Sequence, residues 1–195
     1  MNYIAHLHLA QATQTSLVGN FLGDFVKGSQ LEHLPYDIQM GIKLHRKIDV
    51  LTDSHPQVVN LRRLFPPHIR RVAGIVLDVY FDYLLMCHWP LFSDQHHNIL
   101  FNQFYLELGS CEHEANGHFQ QVRKGLTSHR WLADYQHEGA CLRALKTIEH
   151  RLNHKIVFAD AAMAHVQKHQ KQIQQSFLHF YPELLKQTRD FARKL

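Results

Sequence analysis

A chain of 195 residues that is 45% hydrophobic carries enough apolar side chain to bury a proper core, which excludes a disordered chain. Its net charge of +4, with 18 histidines counted neutral, is a mild basic excess that suits an acidic partner, and no run of five like charges marks a nucleic-acid arm. Cys87, Cys111 and Cys141 lie far apart with no C-x-x-C pair, which argues against a disulfide framework or thiolate zinc site; with no signal-like start and no long apolar run, a soluble cytoplasmic protein without a membrane partner is expected.

Sustained period-two alternation is missing, so the expected fold class is all-α, a single-domain multi-helix bundle over residues 1–195. A first helix covers residues 2–11. Ser16 caps a second, which runs to about Val26 and stops at Lys27-Gly28. Pro35 opens a long third helix through about Asp53, and Pro56 a short fourth that Pro66-Pro67 ends. The fifth spans residues 68–88, with Pro90 just past its end. Ser93 caps a sixth to about Leu108. Short helices follow within residues 116–134, and another over about 137–153. The last helical region starts near Asp160 and is broken or bent at Pro182.

Three of these helices place ionisable side chains where the pattern asks for core residues. On the third, Ile38, Ile42, His45, Asp49, Thr52 and Asp53 fall within an arc of about 100° at about 100° per residue. On the fifth, Arg71, Ile75, Asp78, Asp82 and Leu85 share one face, and on the second Leu17, Asn20, Phe21 and Asp24 share another. A lone inward aspartate is usually a cap or a salt-bridge partner. Together, Asp24, Asp49, Asp53, Asp78 and Asp82 outnumber the obvious cations, even after Arg46, Arg70 and Arg71 neutralise some. Carboxylates with imidazole suit a divalent ion such as Mn²⁺, Mg²⁺ or Fe²⁺.

His6 and His8 diverge by about 160° on one helix, so one of them faces the site, and His6 is the preferred candidate. His88 ends the fifth helix, either against its C-terminal dipole or as a site residue. The later histidines, from His96-His97 through His150, His154, His165 and His169 to His179, have no carboxylate-rich context and read mostly as surface. Zincin, nucleophile-elbow, Walker and dinucleotide motifs are all missing.

The opening Asn2-Tyr3-Ile4-Ala5-His6-Leu7-His8-Leu9-Ala10 is the first part of an ordered set. Gly19-Asn20 and Gly23-Asp24-Phe25-Val26-Lys27-Gly28 are the second. The third is Gly41-Ile42 with His45-Arg46-x-Ile48-Asp49-x-x-Thr52-Asp53-x-His55-Pro56. Arg70-Arg71, Leu77-Asp78-Val79, Asp82 and His88-Trp89 complete it. The set resembles the acyl carrier protein phosphodiesterase family, specifically from the first residue to about Trp89 and more loosely beyond, through the Phe180-Tyr181-Pro182 ending.

The resemblance implies an enzyme that removes the 4′-phosphopantetheine arm from holo acyl carrier protein, with a manganese requirement and a divergent HD-domain-like relation. It carries Asp24, His45, Asp49 and Asp78 over as metal ligands. His6, Asp53, Asp82 and His88 come with them as near-site residues. In a mechanism that fits, Asp82 accepts the proton of the attacking water, and His6 or His88 protonates the serine leaving group. Arg46, Arg70 or Arg71 bind the phosphate oxygens. The acidic carrier protein would dock on a patch drawn from Lys27, Lys43, Arg62, Arg63 and Arg70. The alternatives are an HD-like nucleotide phosphohydrolase and a non-enzymatic helical adaptor for acidic proteins.

Overall fold

The computed structural model describes residues 2–113, 117–152 and 155–195. Among them there is no strand, and ten α-helices carry the fold. They are α1 (Tyr3–Ala12), α2 (Leu17–Leu22), α3 (Tyr36–Ser54), α4 (Pro56–Leu64), α5 (Ala73–Cys87), α6 (His97–Gly109), α7 (Gly117–His129), α8 (Gly139–Arg151), α9 (Ala159–Lys168) and α10 (Gln170–Ala192). Short 3₁₀ turns at Arg70–Val72, Trp89–Leu91 and Trp131–Gln136 join them.

Local chemistry explains the starts of α2, α4 and α6. The Ser16 hydroxyl accepts from the Gly19 N–H at 3.0 Å and opens α2. Pro56 stands in the first turn of α4, where its missing N–H costs nothing, and the His55 imidazole accepts from the Gln57 N–H at 3.2 Å. In α6 the expected cap at Ser93 is replaced by His96, whose ring accepts from the Asn98 N–H at 3.2 Å. Two other starts are capped from a distance. The Asp82 carboxylate on α5 accepts from the Ile4 and Ala5 N–H groups of α1 at 2.8 and 3.0 Å. Glu149 on α8 does the same for Phe158 and Ala159 at the head of α9, at 2.6 and 2.8 Å. A carboxylate there satisfies orphan donors and faces the positive end of the helix dipole.

Three boundaries differ from expectation. The fifth helix, expected over residues 68–88, begins only at Ala73 as α5, after the 3₁₀ turn Arg70–Val72. α2 ends at Leu22 rather than near Val26, and the chain leaves it in a turn through Gly23 and Asp24. The break near the C-terminus falls at His169, and α10 runs straight through Pro182. Pro182 is on the solvent side, while buried Phe177, Phe180, Tyr181 and Leu184 pin both halves of α10 to the core. Anchoring on both sides outweighs the one hydrogen bond that proline removes. His97 is also not a surface residue: it is buried against Trp89, 5.8 Å between ring centroids. His154 lies outside the described residues.

One apolar core runs through the bundle, and α1 lies in its middle with Ile4, Ala5, Leu7, Leu9 and Ala10 all buried. A helix that is apolar all round has no solvent face, so both of its histidines are buried as well. α2 crosses α3 at glycine contacts. A methyl group on Gly41 would meet the Asn20 nitrogen at 2.5 Å, and one on Gly19 would meet the Ile38 carbonyl at 2.8 Å. That crossing sets the end of α2 directly over the His45 turn of α3.

Candidate metal centre

α1 contributes His6, α2 contributes Asn20, the turn after α2 contributes Asp24, and α3 contributes His45 and Asp49 one helical turn apart. His6 and His45 stack, with ring centroids 4.1 Å apart, and both are buried. The Asp49 carboxylate lies across their edges. Its Oδ1 is 3.2 Å from His6 Nε2 and its Oδ2 is 3.2 Å from His45 Nε2. His45 Nε2 is also 3.7 Å from Asp24 Oδ1. Among the described residues, His6, His45 and Asp49 are the group whose ligand atoms converge, all within 4.8 Å of one another.

The protonation states suit a cation. Burial, with His45 beside it, lowers His6 to about 3 against the pull of Asp49, so His6 is neutral near pH 7. Burial pushes the Asp49 carboxyl up, but the His45 and His6 imidazoles beside it outweigh that and hold it below the usual carboxylate range. Burial raises Asp24, and His45 pulls it back. A neutral imidazole has one N–H, yet His6 presents two nitrogens to two acceptors. Nδ1 is 3.1 Å from Asn20 Oδ1, and Nε2 faces Asp49. With Nδ1–H donating to Asn20, the Nε2 lone pair opposes a carboxylate oxygen, and a cation between them removes that conflict. Two imidazoles and carboxylate oxygens are a donor set for Mn²⁺ or Fe²⁺, and the residues present fit such an ion.

The other candidates from the sequence lie elsewhere. Asp82 lies outside the converging His6–His45–Asp49 group. It is fully buried as the cap of α1, where burial pushes its carboxyl up to about 7 against the two N–H groups that pull it down. Asp78 is half-buried on α5 and raises Asp82 through its charge; it is not in the converging group. Asp53 is exposed and pairs with Arg62 at 3.1 Å. His88 meets Gln174 of α10 at 3.0 Å. Arg46 donates to the Val26 carbonyl at 3.0 Å and ties down the turn after α2. Arg70 donates to the Phe65 carbonyl at 2.9 Å from an exposed position, and Arg71 is exposed. His8 turns to the opposite side of α1, between the Tyr181 hydroxyl at 2.8 Å and the Phe92 carbonyl at 3.2 Å.

The cage is therefore walled by α1, α2 and α3, with α5 behind α1. Asn20, which the α2 stripe included but which was not among the candidate site residues, and Gly23, which the stripe left out, carry positions in it. Asn20 is fully buried and sets the His6 ring; a methyl group on Gly23 would meet His45 Cγ at 2.3 Å. The glycine is what lets the turn close over the imidazole.

Comparison with known proteins bears on the whole chain. The family model for acyl carrier protein phosphodiesterase matches residues 1–184. The acyl carrier protein phosphodiesterases of Salmonella agona and Salmonella dublin are each 34% identical over 195 residues, covering 100% of this chain and 99% of theirs. That of an Enterobacter species is 34% identical over 191 residues, 97% of this chain and 98% of its own. No solved structure matches. The match continues far past Trp89, through the helices that the opening motifs do not cover, and this chain belongs to the acyl carrier protein phosphodiesterase family.

Proposed function

We propose that the chain hydrolyses the phosphodiester between 4′-phosphopantetheine and the serine of holo acyl carrier protein, giving the apo protein, with the help of a divalent ion. Mn²⁺ is the first choice, with Mg²⁺ or Fe²⁺ as alternatives. The observation that carries this reading is the convergence of His6 Nε2, His45 Nε2 and the Asp49 carboxylate within 4.8 Å. These three would hold the ion, with Asp24 beside them. When bound, the ion supplies positive charge against the anionic ester and makes water more acidic.

The residues divide the remaining work. Asn20 accepts from His6 Nδ1–H and fixes the tautomer that leaves Nε2 free as a ligand. Asp24, half-exposed at the mouth of the cage, can accept the proton of the attacking water. The net charge of +4 and the exposed Lys27, Lys43 and Arg63 favour encounter with an acidic carrier protein. Among the described residues no helix is long and apolar enough to cross a membrane, and a cytoplasmic setting, where carrier proteins work, fits the reading.

The test is mass spectrometry of holo acyl carrier protein incubated with metal-stripped enzyme, with and without Mn²⁺. Loss of the phosphopantetheine mass with Mn²⁺ alone is expected. A carrier protein that keeps its mass with every divalent ion overturns the reading.

A further inference from the structure

A cavity of about 450 Å³ lies between the head of α1, α7, the Trp131–Gln136 turn and α8. That is inside the range of roughly 300–1,000 Å³ typical of small-molecule sites. Its walls are apolar where Tyr3, Val122, Trp131, Ala144 and Ile148 line it. Gln121 and Thr147 interrupt them with hydrogen-bonding groups, and Arg143 and Arg151 add positive charge. α8 lines the groove from Ala140 to Arg151, which is about 16 Å of helix at 1.5 Å per residue.

One end of the groove adjoins the metal cage. The Tyr3 ring packs 5.4 Å from Phe21 of α2, and its hydroxyl lies within the electrostatic reach of both Asp24 and Arg151. Phe25, next to Asp24 in the chain, packs 5.5 Å from the ring of His118. His118 Nε2 in turn accepts from Arg151 Nη1 at 3.2 Å. Asp24, Tyr3, His118 and Arg151 thus form a continuous seam from cage to groove.

We infer that this groove seats the phosphopantetheine arm of the substrate, phosphate end toward Tyr3 and Arg151 and thiol end toward Ala140. The inference rests on the phosphodiesterase reading above. The arm carries a gem-dimethyl group, a hydroxyl and two amides, which match an apolar wall interrupted by Gln121 and Thr147. Its phosphate matches the Arg151 guanidinium. The arm has about as many chain atoms as four residues, an extended reach of about 14 Å, which the α8 wall accommodates. A bare acyl chain would make no use of Arg143, Arg151 and Gln121, which also line the groove.

The experiment uses 4′-phosphopantetheine itself, titrated into the purified protein and followed by Trp131 fluorescence. The other of the chain's 2 tryptophans, Trp89, is buried elsewhere, 5.0 Å from His8. Gly125 lines the groove, and a side chain built there meets nothing within 4 Å. Gly125→Phe therefore fills the groove without straining α7, which gains helix propensity; Ala144→Trp is the second variant. Each is expected to weaken phosphopantetheine binding about tenfold or more and to raise KM on holo carrier protein in step. Turnover of bis-p-nitrophenyl phosphate, too short to run along the groove, stays within about twofold of wild type in the same variants. The inference is overturned if phosphopantetheine leaves Trp131 unchanged in the wild type, or if both variants bind it as tightly. It is also overturned if dodecanoate moves Trp131 and phosphopantetheine does not. Binding needs no turnover, so the groove is judged on this readout even where holo carrier protein keeps its mass, which is the separate failure of the phosphodiesterase reading.

Discussion

Gly23 lies directly under the His45 imidazole: a methyl group on its α-carbon would come within 2.3 Å of Cγ and 2.5 Å of Cδ2. The backbone of Gly23 is in the ordinary right-handed region, φ −54°, so the position needs a small residue for space and not for conformation. Gly23→Ala suits the local backbone angles, but its methyl group would also meet His45 Cβ at 2.6 Å, so the ring is displaced and the turn shifts with it. A shift of this kind at a proposed ligand is expected to cost about 100-fold in kcat/KM. Mn²⁺ stoichiometry by elemental analysis should fall with it, while far-ultraviolet circular dichroism stays that of the wild type. Full metal occupancy in Gly23→Ala would show that the cation does not use His45.

Asp82 and Asp49 separate stability from chemistry. Asp82→Asn turns an amide N–H₂ toward one of the two α1 donors that the carboxylate now satisfies. Leaving one buried N–H unpaired is expected to cost about 1–3 kcal/mol. Urea unfolding should show that loss, and the folded fraction should still hydrolyse holo carrier protein at close to the wild-type rate. Asp49→Asn should do the reverse, because Asp49 is half-exposed and sits on the two histidines. Turnover drops by orders of magnitude with little change in unfolding midpoint. Loss of turnover in Asp82→Asn without loss of stability would give Asp82 a part in the reaction.

These two aspartates also mark where the sequence stopped being informative. Helix periodicity gives the azimuth of a side chain, and it grouped His45 with Asp49 correctly on the inner side of α3. Azimuth does not say which neighbour waits on that face. For Asp82 the neighbour is the unpaired N-terminus of α1, 77 and 78 residues away in the chain, and such a cap leaves no local trace. Asp53 shared the expected arc with Asp49, yet in the last turn of α3 it is Thr52 that is buried, while Asp53 is exposed and pairs with Arg62. α1 had the opposite difficulty: buried on all sides, it places His6 and His8 in different environments that no amphipathic pattern distinguishes. The order of the helices, by contrast, was legible because proline, glycine and serine mark most of their ends.

The α2–α3 crossing should be the least tolerant backbone contact near the site. A methyl group on Gly41 would meet backbone only: Asn20 N at 2.5 Å, Gly19 C at 2.6 Å and Gly19 Cα at 2.7 Å. No side chain can rotate away, so the helices must separate. Gly41→Ala is expected to cost about 3 kcal/mol or more. Because α2 carries Asn20 and leads into Asp24, any folded Gly41→Ala protein should also bind Mn²⁺ more weakly. A thermal midpoint within error of wild type would contradict the close crossing.

His8 predicts acid sensitivity away from the His6–His45–Asp49 group. It is buried between the Tyr181 hydroxyl, which donates to Nδ1, and the Phe92 carbonyl, which accepts from Nε2–H. Burial lowers its pKa from 6.5 to about 4, against the pull of the Phe92 carbonyl, with Arg189 lowering it further. Because the folded pKa is below the unfolded one, the unfolded chain binds the extra proton between those values. Stability is therefore full above about pH 6.5 and is lost as pH falls toward 4. For His8 alone the loss between pH 7 and pH 5 is about 2 kcal/mol. His6, lowered to about 3, adds a loss of the same sign. His8→Asn keeps an acceptor toward Tyr181 and cannot titrate. Its stability at pH 7 should be below wild type, and its fall between pH 7 and pH 5, read from urea unfolding, should be shallower by about the same 2 kcal/mol. An unchanged fall would mean that His8 is not held neutral in the folded protein.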